Sequence, residues 1–500
     1  MDDGVLKEIL KGIKGFRDYY PADFAKVNYI LDIMKKVSES FGYEEYEGPS
    51  LEYAKLIEIK SGEEILEETF IVKGKDDRKL VLRPEQTPTL ARMIVNEQQR
   101  YPKPIRWFSI PRIFRNETPQ KGRVREFFQF NADIIGVDHP AADAEIIALT
   151  CNIIKTSGLK DGEFICVINS RELVQSYIEY LGIENYLDVI KVLDSKEKYI
   201  QDFIVEELLE KKFTASKAKE IATFVRLKKQ KKEKEFPNLS NKDKEYINYY
   251  YELSPEIEKQ KIIETLIKIG LDEEIAEKVY FFSKTKGTPS FFLEEISKLD
   301  LGEKASLALE KLRELAIYLE YFGVINNCEY NASIARGLDY YTGIVYEFFD
   351  RTGSVVRAIA GGGRYDQLVS SFGGEKIPAT GIGMGETVLM AILEDLGRLP
   401  TYCQKVDFYV APVNKKVIKE AADITARLRK EFRVLFNPFG WKLSNQLEDA
   451  AARKIKHMII VGKRELEQNK VTLRNLETGE QTLLPIEGIE DELRKIVNTE

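Results

Sequence analysis

IRWFSIPRIFRNETPQKGRVREFFQFNADIIG, residues 105–136, holds two aromatic-rich arms around NETPQKG, whose Pro119 and Gly122 are turn formers. The pattern predicts a long antiparallel hairpin. Along the second arm a period of two puts Arg125, Phe127, Gln129, Asn131 and Asp133 on one face, and Phe128, Phe130, Ala132 and Ile134 on the other. An apolar face opposite Arg, Gln, Asn and Asp describes a half-exposed strand with a polar floor. Arg115 closes the first arm, and Asn116, Glu117, Gln120, Lys121 and Arg123 follow through the turn. Alone, such a hairpin reads first as a solvent-facing sheet with surface charge. The segments around it add further chemistry.

Upstream, Val27, Ile30, Leu31, Met34 and Val37 fall at helical spacing, and Gly42 and Gly48–Pro49 end that helix. TFIVKGKDDRKLVLR (69–83) predicts a short hairpin, and RPEQT (83–87) a loop entering a helix. From 173 to 325 glycines thin out and long Lys/Glu-rich helical patterns take over, which predicts a helical insertion. Its basic run RLKKQKKEKEF (226–236) suits either a solvated helix face or contact with a polyanion. Strand patterns return in ARGLDYYTGIVYEF (335–348) and AGGGRYDQLV (360–369), followed by TGIGMGETVLMAIL (380–393) and the linker-like LGRLPTYCQK. The last ~95 residues alternate strand and helix in βαβαβ order, which predicts a small α/β domain with parallel strands.

Composition narrows the function classes. The 500 residues suit two to four domains, and a formal charge of −7 excludes a chain basic throughout. Residues 415–464 nevertheless hold thirteen Lys/Arg against five Asp/Glu, a local patch fit for phosphates. Four scattered cysteines and two histidines form no metal-ligand spacing and no disulfide framework, which points to a reducing, cytoplasmic setting. No apolar run reaches the ~18–20 residues of a membrane span, so no membrane partner is expected.

Arg336 precedes a glycine at a strand entrance, where it can reach a ligand, and Tyr340 and Tyr341 offer uncharged hydroxyls or serve as packing aromatics. The 380–393 segment matches neither the P-loop nor the dinucleotide fingerprint, because its glycines 381, 383 and 385 are spaced GxGxG. Alternation puts all three on one strand face, a bare floor for a planar ring. Glu386 then reads as a first-turn acid complementing the helix dipole.

FRNETPQKGRVREFFQF resembles the second signature motif of class II aminoacyl-tRNA synthetases, and ARGLDYYTGIVYEF and AGGGRYDQLV resemble the two signatures peculiar to the histidyl-tRNA synthetases. The glycine-rich strand and helix at 380–393 stand in the place of the third class II motif. GIKGFRDYYP and the basic tail also match that family, so the resemblance covers essentially the whole chain. It implies an α+β fold: a class II antiparallel-sheet catalytic domain in two parts (1–172 and 326–400), a helical insertion (173–325) and a C-terminal α/β anticodon-binding domain (405–500). It implies ATP-dependent activation of L-histidine and its transfer to histidine tRNA, with Mg2+ on the ATP phosphates, no tightly bound metal, and a cytoplasmic homodimer.

Carried over by resemblance, Arg115 and Arg336 would be catalytic, flanking the α-phosphate. Glu85, Thr87, Gln129, Asp133, Tyr340 and Tyr341 would bind histidine. Arg115, Glu117, Arg123, Gly383 and Gly385 would bind ATP, and Gln120 and Lys121 the tRNA. Gln129 and Asp133 stand about 13 Å apart along an extended strand at ~3.3 Å per residue, a long span for one small ligand. One departure stands out: the family's third-motif Arg, which holds the γ-phosphate, is Thr387 here. Another cation then has to compensate, with Arg123 the first choice, or adenylation is impaired. A non-catalytic histidine-binding paralogue that regulates ATP phosphoribosyltransferase is the competing reading.

Overall fold

The strand with the polar floor is an inner strand of a large sheet. The computed structural model describes residues 9–61, 63–74, 78–120, 122–229, 239–333, 341–402 and 406–499. They divide into two compact units, Met1–Leu399 and Pro400–Glu500. The strands of the first unit are β1 (Glu44–Glu45), β2 (Leu51–Tyr53), β3 (Phe70–Lys73), β4 (Lys79–Leu82), β5 (Ile105–Ser109), β6 (Arg112–Phe114) and β7 (Glu126–Ile135). After them come β8 (Phe164–Ser170), β9 (Lys286–Gly287), β10 (Cys328–Asn331), β11 (Ile344–Asp350), β12 (Ala358–Arg364) and β13 (Ala379–Gly385).

The main sheet runs β1-β5-β7-β13-β12-β11-β8-β10-β9, with β6 also paired to β7. From β5 through β8 every neighbouring pair is antiparallel. The fold is α+β, as expected. The first arm of the hairpin is split at Ile110–Pro111, because proline has no N–H to give the ladder. The Pro111 carbonyl still accepts from the Gln129 amide at 3.0 Å.

Alternation along β7 sorts its side chains. Phe130, Ala132 and Ile134 join the main core with Ile146, Ile147 and Ile154 of the helix Pro140–Ser157 and Ile30 and Met34 of the helix Pro21–Ser40. Both helices carry Pro in the first turn, where the missing N–H costs nothing. Helices therefore cover one face of the sheet.

The 173–325 segment is helical, from Arg171–Tyr180 through Gly302–Tyr321. It is not packed as one body. Leu173, Val174, Phe282, Phe292 and Leu309 share the core of the main sheet, while Ile200, Leu208, Ile221, Tyr250 and Ile257 form a separate cluster. Of the basic run, residues 226–229 end the helix Ala215–Lys229, and 230–236 lie outside the described residues.

The second unit has β14 (Phe408–Pro412), β15 (Val434–Phe436), β16 (His457–Val461), β17 (Lys470–Asn475) and β18 (Gln481–Pro485) in the order β15-β14-β16-β17-β18. The first three are parallel, connected through the helices Ile418–Leu428 and Leu443–Ala452. Beyond the expected βαβαβ core, β17 and β18 extend the sheet antiparallel, and the helix Ile489–Thr499 packs Ile489 and Leu493 into its core.

Candidate active site

The glycine strand and the polar strand are partners. Gly381 lies opposite Asp133, Gly383 opposite Asn131 and Gly385 opposite Gln129. Bare backbone on β13 leaves room for the β7 side chains: a Cβ at Gly381 would stand 1.9 Å from Asp133 Oδ1. On β12, a Cβ at Gly362 would stand 2.1 Å from the Gly381 carbonyl and 2.8 Å from the Tyr346 ring. Through that gap Tyr346 reaches from β11 to donate to the Gly381 carbonyl at 3.0 Å.

Two cavities open over this floor. The smaller, about 170 Å³, is lined by Glu85, Thr87, Gln129, Asn131, Asp133, Tyr341 and Tyr365 among others. Sheet twist and side-chain reach thus bring Gln129 and Asp133 to one enclosure despite their spacing along the strand. The larger, about 400 Å³, includes Arg115, Glu117, Arg123, Phe127, Glu347 and Arg357, with Thr387 and Val388 on one wall. Arg115, Gln129, Tyr341, Gly361 and Gly383 line both.

The wall carrying Glu85 is braced from beneath. The buried Arg83 donates to the carbonyls of Arg112 (3.0 Å) and Gly48 (2.7 Å) and to Gln86 Oε1 (3.2 Å), and pairs with Glu47 at 2.7 Å. Arg115 is fixed to the same loop by a 3.0 Å hydrogen bond from Nε to the Pro84 carbonyl, and its guanidinium lies 5.4 Å from the Phe127 ring centroid. Burial pushes its pKa below the usual guanidinium value, Glu85 and Glu68 pull it back, and the charge of Arg357 pushes it down again. At the deep end Tyr365 donates its hydroxyl proton to Asp133 Oδ1, and burial first, then the Asp133 charge, holds that phenol protonated.

Arg123, the expected compensating cation, lines the larger cavity but is ion-paired with Glu117. Burial and then Arg357 lower its pKa. Glu386 is fully buried and turned to Arg17, 3.0 Å away, which fastens the amino-terminal segment to the start of the helix Glu386–Asp395 that follows β13. Burial lifts the Glu386 pKa to about 7, against the opposing charge of Arg17. Gln120 is exposed at the hairpin tip, where its amide and carbonyl pair with Arg123. Gly383 and Gly385 line the larger cavity. Arg336, Tyr340 and Lys121 lie outside the described residues.

Sequence reasoning passed over Arg357, Glu347 and Tyr365. Tyr365 and Arg357 flank the quoted glycine run, but only the β11–β12–β13 pairing turns them toward the cavities. Among the described residues no group of three or more His, Cys, Asp or Glu could hold a metal ion, and no helix is long and apolar enough to cross a membrane.

Comparison with known proteins agrees along the chain. Residues 15–236 and 252–387 match the family model for histidyl-tRNA synthetase, and residues 407–496 that for the anticodon binding domain. The chain is 32% identical to the histidine–tRNA ligase of Pyrococcus abyssi over 491 residues, covering 98% of this chain and 100% of that one. It is 33% identical to the ligase of Thermoplasma volcanium, covering 95% and 96%. The crystal structure of histidyl-tRNA synthetase from Nostoc sp. PCC 7120 superposes with a TM-score of 0.71 at 22% identity, covering 96% of this chain and 98% of that one. At that identity the likeness concerns the fold.

Proposed function

The chain belongs to the histidyl-tRNA synthetase family and is an aminoacyl-tRNA ligase with histidine–tRNA ligase activity, and we propose that histidine occupies the smaller cavity, ATP the larger, and that they react beside Arg115. The observation that carries this reading is the shared wall: Arg115 and Gln129 line both cavities, so a ligand in each would meet there. The relatives are ligases over nearly the whole chain, and a non-catalytic regulatory paralogue is not favoured.

In this arrangement Glu85, Thr87 and Gln129 hold the amino and carboxylate ends of histidine. Asp133, kept in place by Tyr365, accepts the imidazole N–H, with Tyr341 beside it and Tyr340 assigned there from the family resemblance. Phe127 offers a face for the adenine, and Glu117, Gly383 and Gly385 complete its surroundings. ATP enters as its magnesium complex. A histidine carboxylate oxygen attacks the α-phosphorus, the bond to the bridging oxygen breaks, and pyrophosphate leaves with that electron pair. No protein nucleophile is needed; alignment and fixed positive charge supply the rate. Arg115 neutralises charge developing between carboxylate and phosphate, and Arg336 approaches from the opposite side by resemblance. A terminal ribose hydroxyl of the tRNA then attacks the histidyl carbonyl carbon of the adenylate, giving up its proton as the anhydride bond to the phosphate breaks and AMP leaves.

The hairpin tip with Gln120 and Lys121 would meet the acceptor end of histidine tRNA, and the second unit its anticodon loop. There Phe439 (72% exposed) and Trp441 (43% exposed) stand 6.0 Å apart at the carboxyl ends of the parallel strands. Asn437 Oδ1 accepts from the Phe439 amide (3.0 Å), and the buried Gln446 donates to the Trp441 carbonyl (2.9 Å). Lys415 and Lys416 open the short 3-10 turn Lys415–Val417 after β14, and Lys442 is the N-cap residue of the helix Leu443–Ala452. A rigid aromatic pair amid cations is a stacking platform for unpaired bases. Residues 1–172 and 326–400 would form the catalytic part, 173–325 an insertion, and the functional unit a cytoplasmic homodimer.

Histidine-dependent exchange of labelled pyrophosphate into ATP tests the reading. Wild-type protein should show it and R115A should lose it; a folded wild-type protein without exchange would refute the proposal.

A further inference from the structure

The first turn of the helix Glu386–Asp395 brings no positive charge to the larger cavity: Thr387 and Val388 line it, and Glu386 faces Arg17. We propose that Arg357, at the entrance to β12, supplies that missing charge and holds the pyrophosphate end of ATP from the opposite wall. This rests on the reading of the larger cavity as the ATP site.

Three observations carry it. The described guanidiniums lining the cavity are those of Arg115, Arg123 and Arg357. Arg115 lines the wall shared with the smaller cavity and is tied to the Pro84 carbonyl, which commits it to the reacting end. Arg123 is already ion-paired with Glu117. Arg357 alone of the three makes no hydrogen bond or ion pair with any described residue, yet its side chain lines the cavity.

The second observation is electrostatic. The charge of Arg357 acts on both Arg115 and Arg123 and lowers the pKa of each. Three guanidiniums within reach of one another repel, and a cavity that keeps them together is stabilised when a polyanion enters. A triphosphate meets that need better than a monophosphate.

The third is position. Ala358, Ile359 and Ala360 follow Arg357 along the same cavity wall, and Gly361 and Gly362 continue it toward the shared floor. A nucleotide whose α-phosphate lies at Arg115 can therefore extend its remaining phosphates along β12 toward Arg357. Arginine suits the task, because its fork can bind two phosphate oxygens at once.

The test compares R357A with wild type in pyrophosphate exchange and in calorimetric binding of ATP and of AMP, with thermal melting to confirm folding. The proposal expects the KM for ATP to rise roughly 10–100-fold, with a smaller change in kcat and the Kd for AMP within about twofold of wild type. Unchanged ATP binding in R357A overturns it. Equal weakening of ATP and AMP also overturns it, since Arg357 would then act on the nucleoside or the α-phosphate. Wild-type protein that binds neither nucleotide would instead bring down the ATP-site reading beneath it.

Discussion

Replacing the three floor glycines by alanine, one at a time, should raise the KM for histidine in a graded order set by the space at each. At Gly381 the new Cβ would lie 1.9 Å from Asp133 Oδ1 and 2.8 Å from its Cγ, inside the 3.0 Å that real Cβ atoms respect. The Asp133 carboxylate must move by at least about 1 Å, and misplacement on that scale costs on the order of 100-fold in a reacting complex. It cannot move freely, because it is nearly buried and bonded to the Tyr365 hydroxyl. At Gly383 the nearest atom is Gln129 Nε2 at 3.3 Å, the end of a flexible side chain, so a few-fold rise is expected. At Gly385 the Phe127 ring lies 3.6 Å away, an ordinary contact, and the change should stay within about twofold. The KM for ATP separates the sites further. Gly381 lines only the smaller cavity, so G381A should spare it, while Gly383 and Gly385 border the larger one. Pyrophosphate exchange at varied histidine and at varied ATP measures both constants, and thermal melting checks the fold. G381A with a histidine KM within twofold of wild type, or a reversed order in the series, would refute the reasoning.

Two other predictions concern regions away from the reacting centre. Burial holds the Glu386 carboxyl at about 7 in the folded protein against an ordinary 4.5, so the folded state binds the proton more tightly. Its contribution to stability is full below pH 4.5 and is lost as pH rises toward 7, by about 3 kcal/mol at ~1.36 kcal/mol per unit. E386Q should therefore lose less stability than wild type between pH 5 and pH 8 in denaturant melts; parallel curves would contradict the assignment. In the second unit, F439A and W441F should raise the KM for tRNA in aminoacylation, by roughly 5–150-fold for the alanine if one base stacks at ~1–3 kcal/mol, while leaving pyrophosphate exchange unchanged. Adding tRNA should quench tryptophan fluorescence in wild type and not in W441F, and an identical quench in both would rule the platform out.

How much of this was legible in the sequence depends on how local each feature is. A period of two needs only neighbours, so the faces of β7 and the bare face of β13 could both be read directly. Their opposition, Gly381 on Asp133, is a register, and no local pattern states it. The partners that fix the site are farther apart still. Tyr365 and Asp133 are 232 positions apart, and Arg17 and Glu386 are 369 apart, so each pair exists only once the sheet has formed. The resemblance supplied roles for single residues, yet it pointed to a gap at Thr387 without showing what fills it. Arg123, the compensating cation expected from the sequence, lies within the second motif, and its pairing with Glu117 changes that expectation. Arg357 carried no signal of its own, being one arginine before a glycine-rich strand. Glu386 sharpens the point: read locally it is an acid at a helix start, but in the fold it is spent on Arg17, out of the cavity. On the proposed reading, a glycine-rich strand whose following helix brings no cation borders the nucleotide, and the charge comes across the cavity from Arg357 at the start of another strand.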